Sequence, residues 1–182
     1  MIMDLARATA LVVAGVMVAG AIVPAAPAQA QTERVAVHTD WSVFTPSDPR
    51  ECYIVSPPTA TVARRNNQVV QVNRGDIRLF VTFRPQDGVS GEVSYTSGYP
   101  FRDGSTVRLE VGNETFMLGT GSGEADRWAW PRTEDDARII AAFRRGSDAK
   151  VTAVSSRGTT TEDTFSLMGF TAALNDAEAR CR

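Results

Sequence analysis

The stretch "DIRLFVTFRP", Asp76–Pro85, decides the fold class. Successive side chains of a β-strand point to opposite faces, and here the two faces differ in polarity. One face carries Ile77, Leu79, Val81 and Phe83, and the other carries Arg78, Phe80, Thr82 and Arg84. Pro85 ends the strand because it has no backbone N–H to donate. The alternation is typical of an antiparallel sheet that covers a core on one side.

The same period-two pattern recurs in short bursts separated by turn residues. Further strands are predicted in "RVAVHTDWSVF", "ECYIVS", "QVVQV" after an Asn66-Asn67 turn, and "EVSYTS" with Val93 and Tyr95 inward. Hairpins are predicted in "TVRLEVGNETFML", which turns at Gly112-Asn113, and across Gly158 between "AKVTAVSS" and "TEDTFSL". The predicted fold is all-β, a sandwich or a partly open antiparallel barrel of roughly eight to ten strands.

One internal helix is predicted near residues 134–145, in "TEDDARIIAAFRRG". We expect Thr133 to cap its N-terminus, with Asp136 in the acidic position of a capping box. Acids crowd the first turn and two arginines occupy the last turn, each at the end that the helix dipole favours. Gly146 follows as the C-terminal stop.

A C-terminal helix is predicted near residues 170–181. Apolar residues recur there at helical spacing and form one continuous stripe. The stripe consists of Phe170, Ala173, Leu174, Ala177 and Cys181. We therefore expect Cys181 to face the core.

Residues 1–30 have the composition of a secretory signal peptide. A positive start precedes the apolar run Ala8–Val23, and a small-residue sequence ends at Ala30. We predict cleavage between Ala30 and Gln31. Residues 31–182 would then form a single domain, located in the periplasm or secreted from the cell. The alternative is an uncleaved membrane anchor, but sixteen apolar residues are short for a bilayer that needs ~20.

The composition gives no electrostatic reason to expect a nucleic acid or an anionic membrane as partner. The 182 residues include 19 Lys and Arg against 21 Asp and Glu, a net charge of −2. After the leader, no segment of the sequence is predicted to span a membrane as a helix. We therefore expect the partner to be a protein or an envelope component.

The two cysteines, Cys52 and Cys181, are predicted to form a single disulfide. Export would deliver both thiols to an oxidising compartment, where two cysteines in a small domain usually pair. A metal site is the alternative, but two cysteines with no nearby histidine make a poor ligand set. His38 is the only histidine and lies in another segment. We expect no metal and no cofactor.

The segment "RWAWPR" is the best candidate for a binding surface. Trp128 and Trp130 are two residues apart and share a face if the segment is extended. Arg127 and Arg132 flank them, and aromatic rings beside guanidinium groups can hold a sugar, a peptide or an aromatic group. The alternative is that the two indoles cover the sheet edge and pack against the following helix.

No catalytic constellation is evident in the sequence. His38 has Asp40 two residues on, but no nucleophile signature accompanies it. Among the acid pairs, Asp135-Asp136 is explained by helix capping. In Glu162-Asp163, Asp163 shares a face with the inward Phe165, so we expect one acid of the pair to face inward and bond neighbouring backbone. We expect a protein that is not an enzyme, with a cryptic hydrolase as the least favoured alternative. The "RGD" of residues 74–76 is interpreted as a turn before the following strand rather than as an adhesion site.

The chain resembles the invasion-associated locus B family of exported proteobacterial proteins, from about Trp41 to Cys181. The segments that carry the resemblance are "CYIVS" (Cys52–Ser56), "RGDIRLFVTFRP" (Arg74–Pro85), "GEVSYTSGYPF" (Gly91–Phe101), "RRG" (Arg144–Gly146) and "RGTTTEDTFSLMGFTAAL" (Arg157–Leu174). The resemblance implies a signal peptide, a small β-rich envelope domain, and a role associated with host-cell invasion in pathogenic relatives. It implies no catalytic residues.

The favoured function is therefore that of an exported, non-catalytic periplasmic or envelope protein that binds another macromolecule. The alternative is a module that binds a small ligand or a glycan through Trp128 and Trp130.

Overall fold

A computed structural model describes residues 33–46 and 50–182 of the chain. The leader and its expected cleavage point between Ala30 and Gln31 lie outside the described residues. The strands are β1 (Arg34–His38), β2 (Trp41–Phe44), β3 (Cys52–Ser56), β4 (Ala60–Arg65), β5 (Gln68–Val69), β6 (Arg78–Arg84), β7 (Val89–Thr96), β8 (Thr106–Val111), β9 (Glu114–Thr120), β10 (Trp128–Trp130), β11 (Asp148–Val154) and β12 (Thr160–Ser166). The helices are α1 (Thr133–Arg145) and α2 (Phe170–Cys181).

All twelve strands belong to one antiparallel sheet, in the order β1-β2-β3-β6-β7-β10-β9-β8-β11-β12-β4-β5. The prediction of an all-β fold with an internal and a C-terminal helix is confirmed, although the number of strands is higher than expected. The opening segment is a β1–β2 hairpin whose turn gives Thr39 a positive φ of 53°. β4 and the three-residue β10 were not predicted as strands, because neither shows a clear alternation of apolar and polar residues.

The sheet curls over and encloses its own core. Tyr95 on β7 donates a hydrogen bond to Asp163 on β12, although β10, β9, β8 and β11 lie between these strands in the sheet. β1 and β5 form the two edges of the sheet in the described part of the chain. The arrangement therefore corresponds to the partly open barrel of the sequence prediction rather than to two separate sheets.

The strand β6 lies within the Asp76–Pro85 stretch, and its inward face is apolar as predicted. Leu79, Val81 and Phe83 are buried, and Ile77 packs against the core just before the strand begins. On β7, Val93 and Tyr95 are fully buried, as expected. β6 and β7 pair along their whole length, with a register shift at Thr82/Phe83. In the sheet they lie between β3 and β10.

The helix α2 covers β1, β2, β3 and β6 with its apolar stripe. The five predicted positions Phe170, Ala173, Leu174, Ala177 and Cys181 are all buried. Phe170 meets Trp41 of β2 edge-on, with ring centroids 5.1 Å apart. Gly169 precedes the helix with φ of 86°, and a Cβ atom there would overlap the carbonyl oxygen of His38. Only glycine fits at this turn.

The helix α1 lies where predicted, but its N-terminus is built differently. Thr133 is the first helical residue rather than the cap, and Arg132 occupies the cap position with no capping hydrogen bond from its side chain. The expected capping box is therefore wrong. Gly146 ends the helix with an ordinary φ of −83°, and a Cβ atom there would lie 2.7 Å from Cγ1 of Val111. Close packing, rather than left-handed backbone, explains this glycine.

The predicted disulfide joins Cys52 of β3 to Cys181 at the end of α2, with Cα atoms 5.7 Å apart. Both residues are buried. No group of three or more His, Cys, Asp or Glu side chains in residues 33–46 and 50–182 is arranged to hold a metal ion. Of the helices in these residues, none has the length and apolar character needed to cross a membrane.

Candidate functional site

The two tryptophans of the predicted binding surface share one face of β10. Ala129 between them is fully buried, and the two indoles stack with centroids 6.0 Å apart and planes 20° apart. β10 pairs with β7 on one side and β9 on the other. Because β10 is an interior strand, the indoles lie on the outer face of the sheet and do not cover its edge.

Three more rings extend the tryptophan pair into an aromatic row of Phe44, Tyr53, Phe80, Trp128 and Trp130. Consecutive ring centroids along the row are 5.0, 5.9, 5.4 and 6.0 Å apart. Every member of the row is half-buried. The row thus crosses the outer face from β2 through β3 and β6 to β10.

The strand register explains why these rings meet. Phe44 is the direct cross-strand partner of Tyr53, and such pairs on one face are close neighbours. β7 lies between β6 and β10, and its residues beside Phe80 and Trp128 are Ser94 and Thr96, which are both buried. Because these side chains are small, Phe80 reaches over β7 to Trp128.

An acidic depression of about 510 Å³ lies on one side of the aromatic row. Its floor is formed by rings of the row, and its charged lining residues are Glu51, Arg84, Glu92 and Glu124. Arg84 pairs with Glu92 at 3.2 Å, which leaves a surplus of carboxylates. Burial, followed by the charge of Glu51, raises the pKa of Tyr53 above its ordinary value, so this ring stays neutral.

A second depression of about 430 Å³ lies on the other side of the row, and we call it the basic depression. Arg78 and Arg127 line it together with one acid, Asp76, which lies 3.3 Å from Arg78. Arg127 is exposed and its Nε lies 3.7 Å from Asp126. Three acids against one arginine line the acidic depression, whereas two arginines against one acid line the basic depression.

The structure brings Arg127 to the aromatic row but not Arg132. Arg132 stands at the start of α1, where its guanidinium lies 3.0 Å from Glu134 and 3.1 Å from Asp135. It lines neither depression. Of the four residues in the predicted binding surface, Trp128, Trp130 and Arg127 thus lie together.

A buried polar cluster inside the barrel was not anticipated from the sequence as a unit. Asp163 is completely buried and accepts two hydrogen bonds of 2.7 Å from Arg74 and one of 2.5 Å from the Tyr95 hydroxyl. Arg74 also donates to the carbonyl oxygen of Ser97. The expectation that an acid of this pair faces inward holds for Asp163, but its partners are side chains rather than backbone.

The environment of this cluster perturbs the ionisation of its members. Burial would lower the pKa of Arg74, but the hydrogen bonds and charge of Asp163 outweigh burial and raise it. Burial and then the Asp163 charge raise the pKa of Tyr95 well above its ordinary value. The cluster is therefore a buried Arg74–Asp163 ion pair beside a neutral Tyr95 phenol.

The same cluster shows that the "RGD" of residues 74–76 is not displayed as a unit. The Arg74 side chain is only 7% exposed, whereas Asp76 is 85% exposed and accepts a hydrogen bond from Arg78. Gly75 donates its N–H to the carbonyl oxygen of Gly98 at 2.9 Å, where the two backbones cross closely. An arginine held inside the barrel cannot contact a partner together with Asp76.

Outside this cluster, His38 and Asp136 each have a defined hydrogen-bond partner in residues 33–46 and 50–182. His38 Nε2 lies 2.9 Å from Asp176 of α2, and no hydroxyl or thiol hydrogen-bonds His38 in the described residues. Asp136 accepts the N–H of Val93 at 2.9 Å. Burial chiefly raises the pKa of Asp136 to about 6, with Glu92 and Asp135 adding to the shift and the Val93 hydrogen bond opposing it. Asp136 lines neither depression.

These observations define a disulfide-linked antiparallel β protein with an aromatic outer face. The chain belongs to the invasion associated locus B (IalB) family, whose family model matches residues 41–178. Among solved structures, the chain is similar to invasion associated protein B from Bartonella henselae, with a TM-score of 0.53 and 19% sequence identity. That match covers 79% of this chain and 95% of the Bartonella chain and concerns the fold alone. A comparison with curated proteins finds no match.

Proposed function

We propose that this protein is an exported, non-catalytic binding protein that engages another macromolecule through the aromatic row. The observation that supports this proposal most directly is the aromatic row. Five half-buried rings in continuous contact on the outer face of a sheet give a large apolar surface at a low conformational cost. Aromatic side chains of this kind dominate the energetics of protein interfaces.

The geometry of the rings favours a protein segment over a sugar. Phe44 stacks on Tyr53 with planes 13° apart, and Trp128 stacks on Trp130 with planes 20° apart. Each ring of a stacked pair turns one face toward its neighbour, which leaves fewer open ring faces. A sugar packs on an open ring face, whereas apolar side chains of a protein can pack between ring edges.

The charge of the surface beside the row indicates which side chains the partner would contribute. The acidic depression beside Trp128 and Trp130 carries three glutamates against one arginine. Complementary charge gives an interface its orientation and specificity. We therefore propose that the partner contributes an apolar segment with basic side chains, placed so that its cations meet Glu51 and Glu124.

A location outside the cytoplasm would fit the same function. Family membership and a buried disulfide suggest an exported protein, because disulfides persist in oxidising compartments. We propose that residues 1–30 are the signal peptide and that residues 31–182 act as one domain in the periplasm or outside the cell. The family's name associates relatives with invasion, and a binding activity of this kind would serve such a role.

A second candidate function is the binding of a small ligand or a glycan. Depressions of about 510 Å³ and 430 Å³ flank the row, within the range of ~300–1,000 Å³ usual for small-molecule sites. A ligand bound there would contact Trp128 from either side. This candidate differs from the first in requiring no extended partner.

The experiment uses two synthetic peptides, one alternating Lys and Leu and the other alternating Glu and Leu, and a neutral oligosaccharide. Binding to the purified protein is measured by calorimetry and by tryptophan emission. We expect the Lys-Leu peptide to bind and the W128A/W130A double variant to lose about tenfold or more in affinity. The matched control is M168A, which removes an apolar side chain that is 63% exposed elsewhere.

Binding of the oligosaccharide alone would favour the second candidate. Equal binding of both peptides, or equal losses in W128A/W130A and M168A, would contradict the proposal.

A further inference from the structure

A third depression, of about 520 Å³, is separate from the aromatic row. It lies across the Gly75–Gly98 contact from the basic depression, and Gly98 lines both. The end of β4, the segment before Arg74 and the turn between β11 and β12 surround it. We call it the arginine–hydroxyl pocket; its polar lining includes Arg65, Tyr99, Ser155, Arg157, Thr159 and Thr161.

The charge of this pocket is positive. Arg65 and Arg157 line it, and neither forms an ion pair with any acid in residues 33–46 and 50–182. No carboxylate is among the lining residues. Asp163 lies deeper, and Arg74 already balances its charge. A net charge of −2 for the whole chain therefore conceals a local surplus of cations here.

The hydroxyl groups of the pocket have hydrogen atoms to donate. Thr159 Oγ1 accepts two hydrogen bonds from Arg65, of 2.7 and 3.2 Å, and Ser155 Oγ accepts the Thr159 N–H at 3.1 Å. In the described part of the chain, neither hydroxyl donates its own hydrogen to an acceptor. Tyr99 and Thr161 share a single hydrogen bond of 2.5 Å, which leaves one of their two hydrogens unused.

Ser155, Thr159 and Thr161 are buried, so their hydroxyl groups have limited access to bulk water. A buried donor without an acceptor is costly. The pocket therefore combines cations and spare donors with no negative group of its own. A ligand that matches it is an acceptor with negative charge.

We propose that the arginine–hydroxyl pocket binds an oxyanion of the phosphate type, carried by a small anion or by a lipid headgroup. Such a group has only acceptors, and its oxygens fit the planar donor fork of arginine. Arg65 is held in place by Thr159, so its guanidinium is already oriented. Arg157, on the exposed turn between β11 and β12, lines the same pocket.

The first experiment measures binding of inorganic phosphate to the full chain by calorimetry at constant ionic strength. We expect the R65Q/R157Q double variant to bind about tenfold more weakly or worse, because charged hydrogen bonds are lost. The matched control is R64Q, because Arg64 precedes Arg65 on β4 and therefore points to the opposite face. We expect R64Q to bind phosphate as the wild type does.

A second arm distinguishes the source of the oxyanion. Flotation with phosphatidylglycerol vesicles, compared with phosphatidylcholine vesicles, tests a lipid headgroup. Binding to the anionic vesicles that R65Q/R157Q loses and R64Q keeps would support a headgroup. Phosphate binding with the same dependence on the variants, without vesicle binding, would support a small anion.

If the double variant does not fold, a measurement on the wild-type protein tests the same site. Phosphate titrated into the wild-type protein should then shift the amide NMR signals of Arg157, Gly158 and Thr159 more than those elsewhere. The proposal would be overturned by no binding in either arm. Equal losses in R64Q and R65Q/R157Q, or amide shifts confined to other regions, would also overturn it.

Discussion

Arg74 and Asp163 form a bidentate ion pair inside the barrel, with two nitrogen–oxygen distances of 2.7 Å. The two side chains are 7% and 0% exposed, and the residues are 89 positions apart in the sequence. The pair fixes the segment before β6 against β12. It thereby joins two parts of the sheet that share no backbone hydrogen bonds.

We predict that D163N strongly destabilises the protein. The substitution leaves the Arg74 guanidinium buried without a counter-ion, which typically costs about 3–5 kcal/mol of unfolding free energy. Urea denaturation measures the change. The control is D76N, which removes the same charge from a side chain that is 85% exposed, and it should leave stability nearly unchanged. Similar stabilities of D163N and D76N would contradict the prediction.

We predict that C52S lowers the free energy of unfolding by about 4–5 kcal/mol, the chain-entropy value for a loop of this length. Cys52 and Cys181 are 129 residues apart, so the disulfide strongly restricts the unfolded chain. The loss should appear as a lower Tm in calorimetry. The wild type with reducing agent should shift similarly, and an unchanged Tm under full reduction would refute the prediction.

We predict that D136N stabilises the protein at pH 7 and not at pH 3. The folded-state pKa of Asp136 is raised from 3.8 to about 6, so the folded state holds a proton that the unfolded state releases between these values. Stability therefore falls as pH rises through this window. Asparagine cannot ionise and its oxygen can still accept the Val93 N–H, so D136N should gain about 1 kcal/mol at pH 7 after allowance for solvent screening.

Chemical denaturation across the pH range measures this effect. D135N is the control, because Asp135 pairs with Arg132 and Arg138 and its removal should give no gain. A D136N variant whose stability runs parallel to that of the wild type from pH 3 to pH 7 would exclude the raised pKa.

We predict that acrylamide quenches two of the three tryptophans. Trp41 is fully buried and donates its indole N–H to the Ser166 carbonyl oxygen, whereas Trp128 and Trp130 are half-buried on the outer face. A W128F/W130F variant should retain a blue-shifted emission that acrylamide hardly quenches. Strong quenching in that variant would show that Trp41 is accessible and that the described packing of α2 is wrong.

The sequence predicted those features of the fold that depend on a repeating pattern within a single strand or helix. The alternation in β6 and the stripe of α2 from Phe170 to Cys181 are set by the strand and helix periods, and both faces are buried as expected. The Thr133 cap failed because cap residues give only a preference and helix boundaries shift by a residue. β4 carries too little alternation to be identified.

The candidate site was only partly predictable because much of it depends on pairing between distant segments. Trp128 and Trp130 were found from their spacing of two. Phe44, Tyr53 and Phe80 join them only through the register of β2, β3 and β6, which no local signal specifies. The polar character of Asp163 beside inward residues was a signal for burial. Nothing near it in sequence pointed to Arg74.

The disulfide also sets the order in which the molecule can be completed. Every strand from β4 to β12 lies between Cys52 and Cys181 in sequence, so the bond cannot close until all of them have been synthesised. The folded sheet places β3 beside α2, so folding brings the two thiols together. Oxidation after folding locks the assembled sheet, whereas an oxidase that acts before α2 has been synthesised would find Cys52 without Cys181.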